Sequence, residues 1–151
     1  MRTLIVEDSR SMQEHLREIV APYGRVVQVL DGRQAVNAFI RSLEDKKLFD
    51  LILMDIEMPI LDGHQALSMI RRLEEQRLGG IRTKAVMVSS LADYENILKA
   101  QFEERADAYL TKPFEPEMLL EILRNQGLID KGPFPEEDAE TSPITSPDTS
   151  P

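Results

Sequence analysis

Hydrophobic and polar positions alternate between two rhythms up to about residue 127. Short apolar runs, "TLIVE" (Thr3–Glu7), "RVVQVL" (Arg25–Leu30), "DLILM" (Asp50–Met54), "AVMV" (Ala85–Val88) and "AYL" (Ala108–Leu110), read as strands. Between them, apolar residues recur at helical spacing. Met12, Leu16, Ile19 and Val20 form one such set, which stops before Pro22 and Gly24. Ala35, Val36, Phe39, Ile40 and Leu43 form the next, with Asp31 placed to cap it. A third begins near Asp62, carries Ala66, Leu67, Ile70 and Leu73, and ends before Gly79-Gly80. A fourth carries Tyr94, Ile97, Leu98 and Phe102. The last, "EPEMLLEILRNQG", has Pro116 in its first turn and Gly127 as its stop.

Five strand–helix units in strict alternation predict an α/β fold, a parallel sheet covered by helices on both faces. The strand runs are almost continuously apolar, as doubly covered strands must be. In such sheets the functional crevice lies outside the carboxyl ends of the strands. Four of the five runs deliver polar groups there: Glu7 and Asp8 after the first, Asp55 after the third, Ser89 and Ser90 after the fourth, and Lys112 after the fifth. That is more polarity than ending a strand requires.

Charge changes the picture at one end. The chain of 151 residues has a net charge of −9. From Leu128 onward there are six acids and one lysine, so −5 of that charge sits in the last 24 residues and −4 in the body. The terminal stretch also holds five of the nine prolines. Residues 128–151 are therefore expected to be a disordered acidic tail, and residues 1–127 the folded domain. The acidic balance argues against direct binding of nucleic acid. No apolar stretch approaches a membrane span, so no membrane partner is expected. The absence of cysteine removes disulfides and thiolate metal sites. A cytoplasmic location is the expectation, with no leader pattern at the N-terminus.

Three carboxylates gathered on one edge repel one another unless a cation joins them. A hard divalent ion with oxygen ligands suits Glu7, Asp8 and Asp55, and magnesium commonly bridges a few carboxylates to a phosphate. Zinc is disfavoured, since His15 and His64 are expected on solvated surfaces away from the acids. A lysine and a hydroxyl beside the acids complete a site for a phosphoryl group. The aspartate can itself be the nucleophile that forms an aspartyl phosphate. By strand alternation Glu57 is expected to lean to the same side as Asp55.

These residues resemble the receiver domain of two-component response regulators. The resemblance covers residues 2–126 and rests on Glu7-Asp8, Asp31-Gly32, "LILMDIEMPILDG" around Asp55, "VMVSS" and "YLTKPF" in that order. It implies a flavodoxin-like five-stranded sheet of order 2-1-3-4-5. It implies Asp55 as the phosphoacceptor, and a magnesium ion (manganese as a substitute) held by Glu7, Asp8, Asp55 and the Glu57 backbone carbonyl. It further implies Lys112 pairing with the phosphoryl group and a cis peptide at Lys112–Pro113. Ser89 and Ser90 become phosphoryl-binding residues, with Ser89 and Tyr109 as the switch pair. The donor would be a sensor histidine kinase or a histidine phosphotransfer protein.

Few residues follow the last helix, so a stand-alone receiver is expected. It would act through an output protein on the face of the fourth helix, fifth strand and fifth helix. Ser90 where alanine is common, Arg105 in place of a usual glycine, and a stretch between Ser89 and Lys112 one residue long depart from the family pattern. Two rival readings are weighed. A magnesium-dependent phosphatase with an aspartate nucleophile would need a cap domain and substrate pocket that the apolar pattern does not supply. A pseudo-receiver that never takes phosphate would not need the intact acids and lysine.

Overall fold

The computed structural model describes residues 1–90 and 106–130. Five strands, β1 (Arg2–Val6), β2 (Arg25–Val29), β3 (Leu51–Asp55), β4 (Lys84–Ser90) and β5 (Ala108–Lys112), form one parallel sheet in the order β2-β1-β3-β4-β5. Helices α1 (Arg10–Val20), α2 (Gly32–Glu44), α3 (Gly63–Arg77) and α4 (Pro116–Asn125) accompany it. The helix expected over Tyr94–Phe102, and Arg105 with it, lie outside the described residues. So do residues 131–151. No helix among the described residues is long and apolar enough to cross a membrane.

Strand alternation divides the core into two layers. Leu4, Val6, Ile52, Met54, Ala85 and Met87 face α2 and α3 together with Phe39, Leu67 and Ile70. Ile5, Leu51, Leu53, Val86, Val88 and Leu110 face α1 and α4 with Leu16, Val20, Leu119 and Leu123. Because both faces are covered, the central strands are mostly apolar, and β3 is buried at every residue. Asp31 caps α2 by accepting from the Gln34 amide, and Asp62 caps α3 in a reciprocal box with Gln65.

The strands run further than their apolar residues at the carboxyl edge. Asp55 is the last residue of β3, Ser89 and Ser90 close β4, and Thr111 and Lys112 close β5. Backbone pairing continues there (Asp55 with Val88, Ser90 with Lys112) although the side chains have turned polar.

Past Gly127, the first residues expected in the tail continue from the helix stop. The Leu128 amide donates to the Leu123 carbonyl at 2.9 Å and the Gly127 amide to the Arg124 carbonyl at 3.0 Å, with Gly127 at φ 74°. This is a left-handed helix stop whose following apolar residue folds back on the last turn. Leu128 and Ile129 accordingly pack on the α1–α4 layer.

At the opposite, amino edge of the sheet a second polar cluster is closed by ion pairs. Arg71 donates to Glu74 Oε1 at 2.8 Å, to the Thr83 carbonyl at 2.7 Å and to Asp107 Oδ2 at 3.1 Å. Arg82 donates to Asp107 Oδ1 at 3.1 Å. The Thr83 and Ala85 amides donate to Glu74 and Asp107 respectively, so both carboxylates also hold backbone.

Candidate functional site

The site grows out of the α1–α4 layer. Glu7 follows Ile5 by two residues, Asp55 follows Leu53, and Lys112 follows Leu110, so each continues a buried apolar series on that face. Adjacent strands then bring their side chains together at the carboxyl edge. Glu7, Asp8 and Asp55 each offer a carboxylate oxygen within 4.8 Å of the others. Glu7 and Asp55 are buried, while Asp8 is exposed. Lys112 Nζ donates to Glu7 Oε1 at 3.0 Å and lies 3.5 Å from Asp55 Oδ1.

Among the described residues, three acids against one base leave this cluster short of positive charge. Two carboxylates about 5 Å apart repel by roughly 1 to 3 kcal/mol at an effective dielectric between 80 and 20. The effect falls on Asp55. Burial, then the negative charges of Glu7 and Asp8, push its carboxyl up to about 7 against the opposing pull of Lys112. Burial alone would lower the Lys112 ammonium; its hydrogen bond to Glu7 and the charges of Asp55 and Glu7 outweigh that and raise it.

The donor set fits a magnesium ion. It is made of oxygen alone, two of its members are buried, and the strain on Asp55 is of the kind a dication relieves. Glu57 is not in this group. The strand ends at Asp55, Ile56 turns into the α2–α3 layer, and Glu57 is exposed. Ile56 continues the Ile52–Met54 series, and the Glu57 carboxylate stands outside the three gathered acids.

Alternation also separates the two serines. Ser90 pairs in register with Lys112 and continues the Val86–Val88 series toward the acids' side. Ser89 continues Met87, is 1% exposed, and lies on the side of Tyr109, which packs half-buried against the α2–α3 layer. The Ser89 hydroxyl donates to the Ser90 carbonyl at 3.4 Å, a long bond. The Lys112–Pro113 peptide is cis. His15, expected in solvent, is half-buried with its ring 5.4 Å from that of Phe114, just past the cis bond. His64 is also half-buried.

Two features escape a reading based on charge alone. Gly63 opens α3 so close to β3 that a Cβ there would stand 2.3 Å from the Asp55 carbonyl. Its amide donates to the Ile56 carbonyl at 2.9 Å, which pins the loop after Asp55. The "DG" after "LILMDIEMPIL" was the visible trace of this contact. The second is Gln13, a buried amide on α1 that donates to the Glu7 carbonyl at 3.3 Å and the Val29 carbonyl at 2.8 Å.

Comparison with known proteins agrees with this geometry. Residues 3–124 match the family described as the response regulator receiver domain. A hybrid signal transduction histidine kinase I of Dictyostelium discoideum is 34% identical over 127 residues, covering 83% of this chain and 7% of that protein. The regulatory protein VanRB of Enterococcus faecalis is 30% identical over 136 residues, covering 87% of this chain and 56% of that protein. The chain thus spans only a small part of the hybrid kinase and about half of VanRB. Among solved structures, the receiver domain of the histidine kinase CKI1 from Arabidopsis thaliana, complexed with Mg2+ and BeF3−, is 26% identical with a TM-score of 0.68. That match covers 82% of this chain and 89% of the other. With a parallel sheet in the order 2-1-3-4-5 and the acids at its carboxyl edge, the chain belongs to the response regulator receiver domain family.

Proposed function

We propose that Asp55 accepts a phosphoryl group from a phosphohistidine on a sensor histidine kinase or histidine phosphotransfer protein, with Mg2+ held by Glu7, Asp8 and Asp55. The observation that carries this reading is the charge deficit: three carboxylates and one lysine converge where an acyl phosphate would form. An Asp55 oxygen bonds to phosphorus as the P–N bond breaks. The bonding pair stays on the imidazole nitrogen, which takes up a proton. Mg2+, when bound, supplies the positive charge that keeps the acids ionised together and neutralises phosphoryl oxygens. Lys112 already reaches from Glu7 toward Asp55, so a small displacement puts its ammonium on a phosphoryl oxygen.

The new group adds about 1.5 to 2 negative charges at the sheet edge. Ser89 would leave the Ser90 carbonyl to donate to it, and Tyr109, on the same side as Ser89, would repack in response. This rearrangement of β5 and its neighbours would be read by a protein partner in the cytoplasm. The protein is a signalling phosphoacceptor, and its only chemistry is its own phosphorylation and dephosphorylation.

The test uses acetyl phosphate and Mg2+. Intact-mass spectrometry should show one phosphoryl group, released by hydroxylamine as an acyl phosphate is. Asp55→Asn should fold and take none. Equal labelling of the Asn variant, or labelling undiminished by EDTA, would overturn the assignment.

A further inference from the structure

We propose that Gln13 is a positioning residue for the metal-site acids, setting the place of Asp8 through the backbone of Glu7; this rests on the Mg2+ reading above. The Asp8 side chain has no hydrogen-bond partner among the described residues, so its position is inherited from the turn that carries it. That turn is fixed on both sides of Glu7. The Glu7 amide donates to the Val29 carbonyl at 3.2 Å, and the Glu7 carbonyl accepts from Gln13 Nε2 at 3.3 Å. The same Nε2 donates at 2.8 Å to the Val29 carbonyl, so one amide group ties the end of β1 to the end of β2.

The turn continues onto the helix that bears Gln13. The Ser9 amide donates to Glu7 Oε2 at 3.0 Å, and the Ser9 carbonyl accepts from the Gln13 amide at 2.8 Å. Asp8 lies between two residues that Gln13 holds, one through its side chain and one through its backbone. Gln13 is 6% exposed and its bond to the Glu7 carbonyl is buried, so that carbonyl has little access to water as a replacement donor. Its Nε2 carries two hydrogens, and both are used. Outer partners of this kind set the orientation of metal ligands and govern affinity for the ion.

The test measures Mg2+ affinity in the full chain, by titrating Mg2+ alone and following the amide shifts of Asp8 and Ser9. Gln13→Met keeps the side-chain length and removes both donors; Gln13→Asn keeps an amide but withdraws it by one methylene. The Mg2+ dissociation constant should rise about 10-fold in Gln13→Met and by less in Gln13→Asn. Leu123→Ala, buried in the α1–α4 layer, serves as a control that loses stability without touching the turn. Its Mg2+ constant should stay within about twofold of wild type. Unchanged affinity in both Gln13 variants, or the same weakening in Leu123→Ala, would overturn the positioning role while leaving the Mg2+ site intact. No Mg2+-dependent shift in the wild type would overturn the site itself, and the proposal with it.

Discussion

The two edges of one sheet hold two clusters of charge built on opposite plans. At the amino edge, Arg71 and Arg82 meet Glu74 and Asp107, two positive against two negative, with both carboxylates also accepting from backbone amides. At the carboxyl edge, Glu7, Asp8 and Asp55 gather beside Lys112, the one cation paired with them among the described residues. Among the described residues, the first cluster gives each carboxylate an arginine. The second is two positive charges short among those residues, and burial together with that shortfall drives its central acid toward neutrality. A buried charge cluster that closes on itself holds elements together; one that stays open is set up for something from outside.

The largest expected effect comes from breaking the closed cluster. Arg71→Met would leave buried Glu74 without its cation and leave Asp107 to the half-exposed Arg82. Removing one partner of such a pair costs about 3 to 5 kcal/mol. Urea denaturation should show a loss of that size. A loss below about 1 kcal/mol would mean that the network is not what fixes α3 and β5 to the start of β4.

Breaking the open cluster should do the reverse. In metal-free buffer Asp55→Asn removes a repelled carboxylate, and should stabilise the fold at pH 7.5 by on the order of 2 kcal/mol. The pH dependence follows. The folded-state Asp55 carboxyl lies at about 7, above its unfolded value near 3.9. Between those values the folded state binds more protons than the unfolded one, so Asp55's contribution to stability is greatest below pH 4 and is lost as pH rises to about 7. The Asn variant should lack that part of the decline. Denaturation in EDTA across this range would refute the account if the wild type and the variant declined alike.

The contrast also explains what could be read in the sequence. Alternation of apolar runs predicted the strands, and their ends gave Glu7, Asp55 and Lys112, because these polar residues directly succeed apolar series on one face. The closed cluster was not legible. Arg71 and Glu74 sit on the buried stripe of α3 beside Leu67 and Ile70, where charge normally signals solvent, and their partner Asp107 is 36 residues from Arg71. Gln13 was hidden in the same way: it occupies the buried face of α1 with Leu16 and Val20, and its two acceptors are backbone carbonyls that no residue type reveals. Ser89 and Ser90 looked alike because the apolar run stopped at Val88; only continued pairing to Ser90 shows that they face opposite ways. Leu128 and Ile129 read as tail because an apolar pair after glycine closes a helix as readily as it opens a linker.

A smaller effect sharpens the boundary of the open cluster. Glu57 is exposed and stands outside the three gathered acids. Screening by solvent and salt leaves it little influence on an incoming anion. Glu57→Gln should speed labelling by acetyl phosphate by no more than about twofold, which is roughly 0.4 kcal/mol. Stopped-flow rates at saturating Mg2+ showing a larger gain would extend the cluster to Glu57.

The most direct test of the charge deficit is the titration of the Asp55 carboxyl itself, followed by carbon NMR with and without Mg2+. A midpoint near 7 is expected in metal-free protein, falling well below that value when Mg2+ is added. A midpoint near the ordinary carboxylate value in the metal-free protein, or one that Mg2+ does not move, would contradict it.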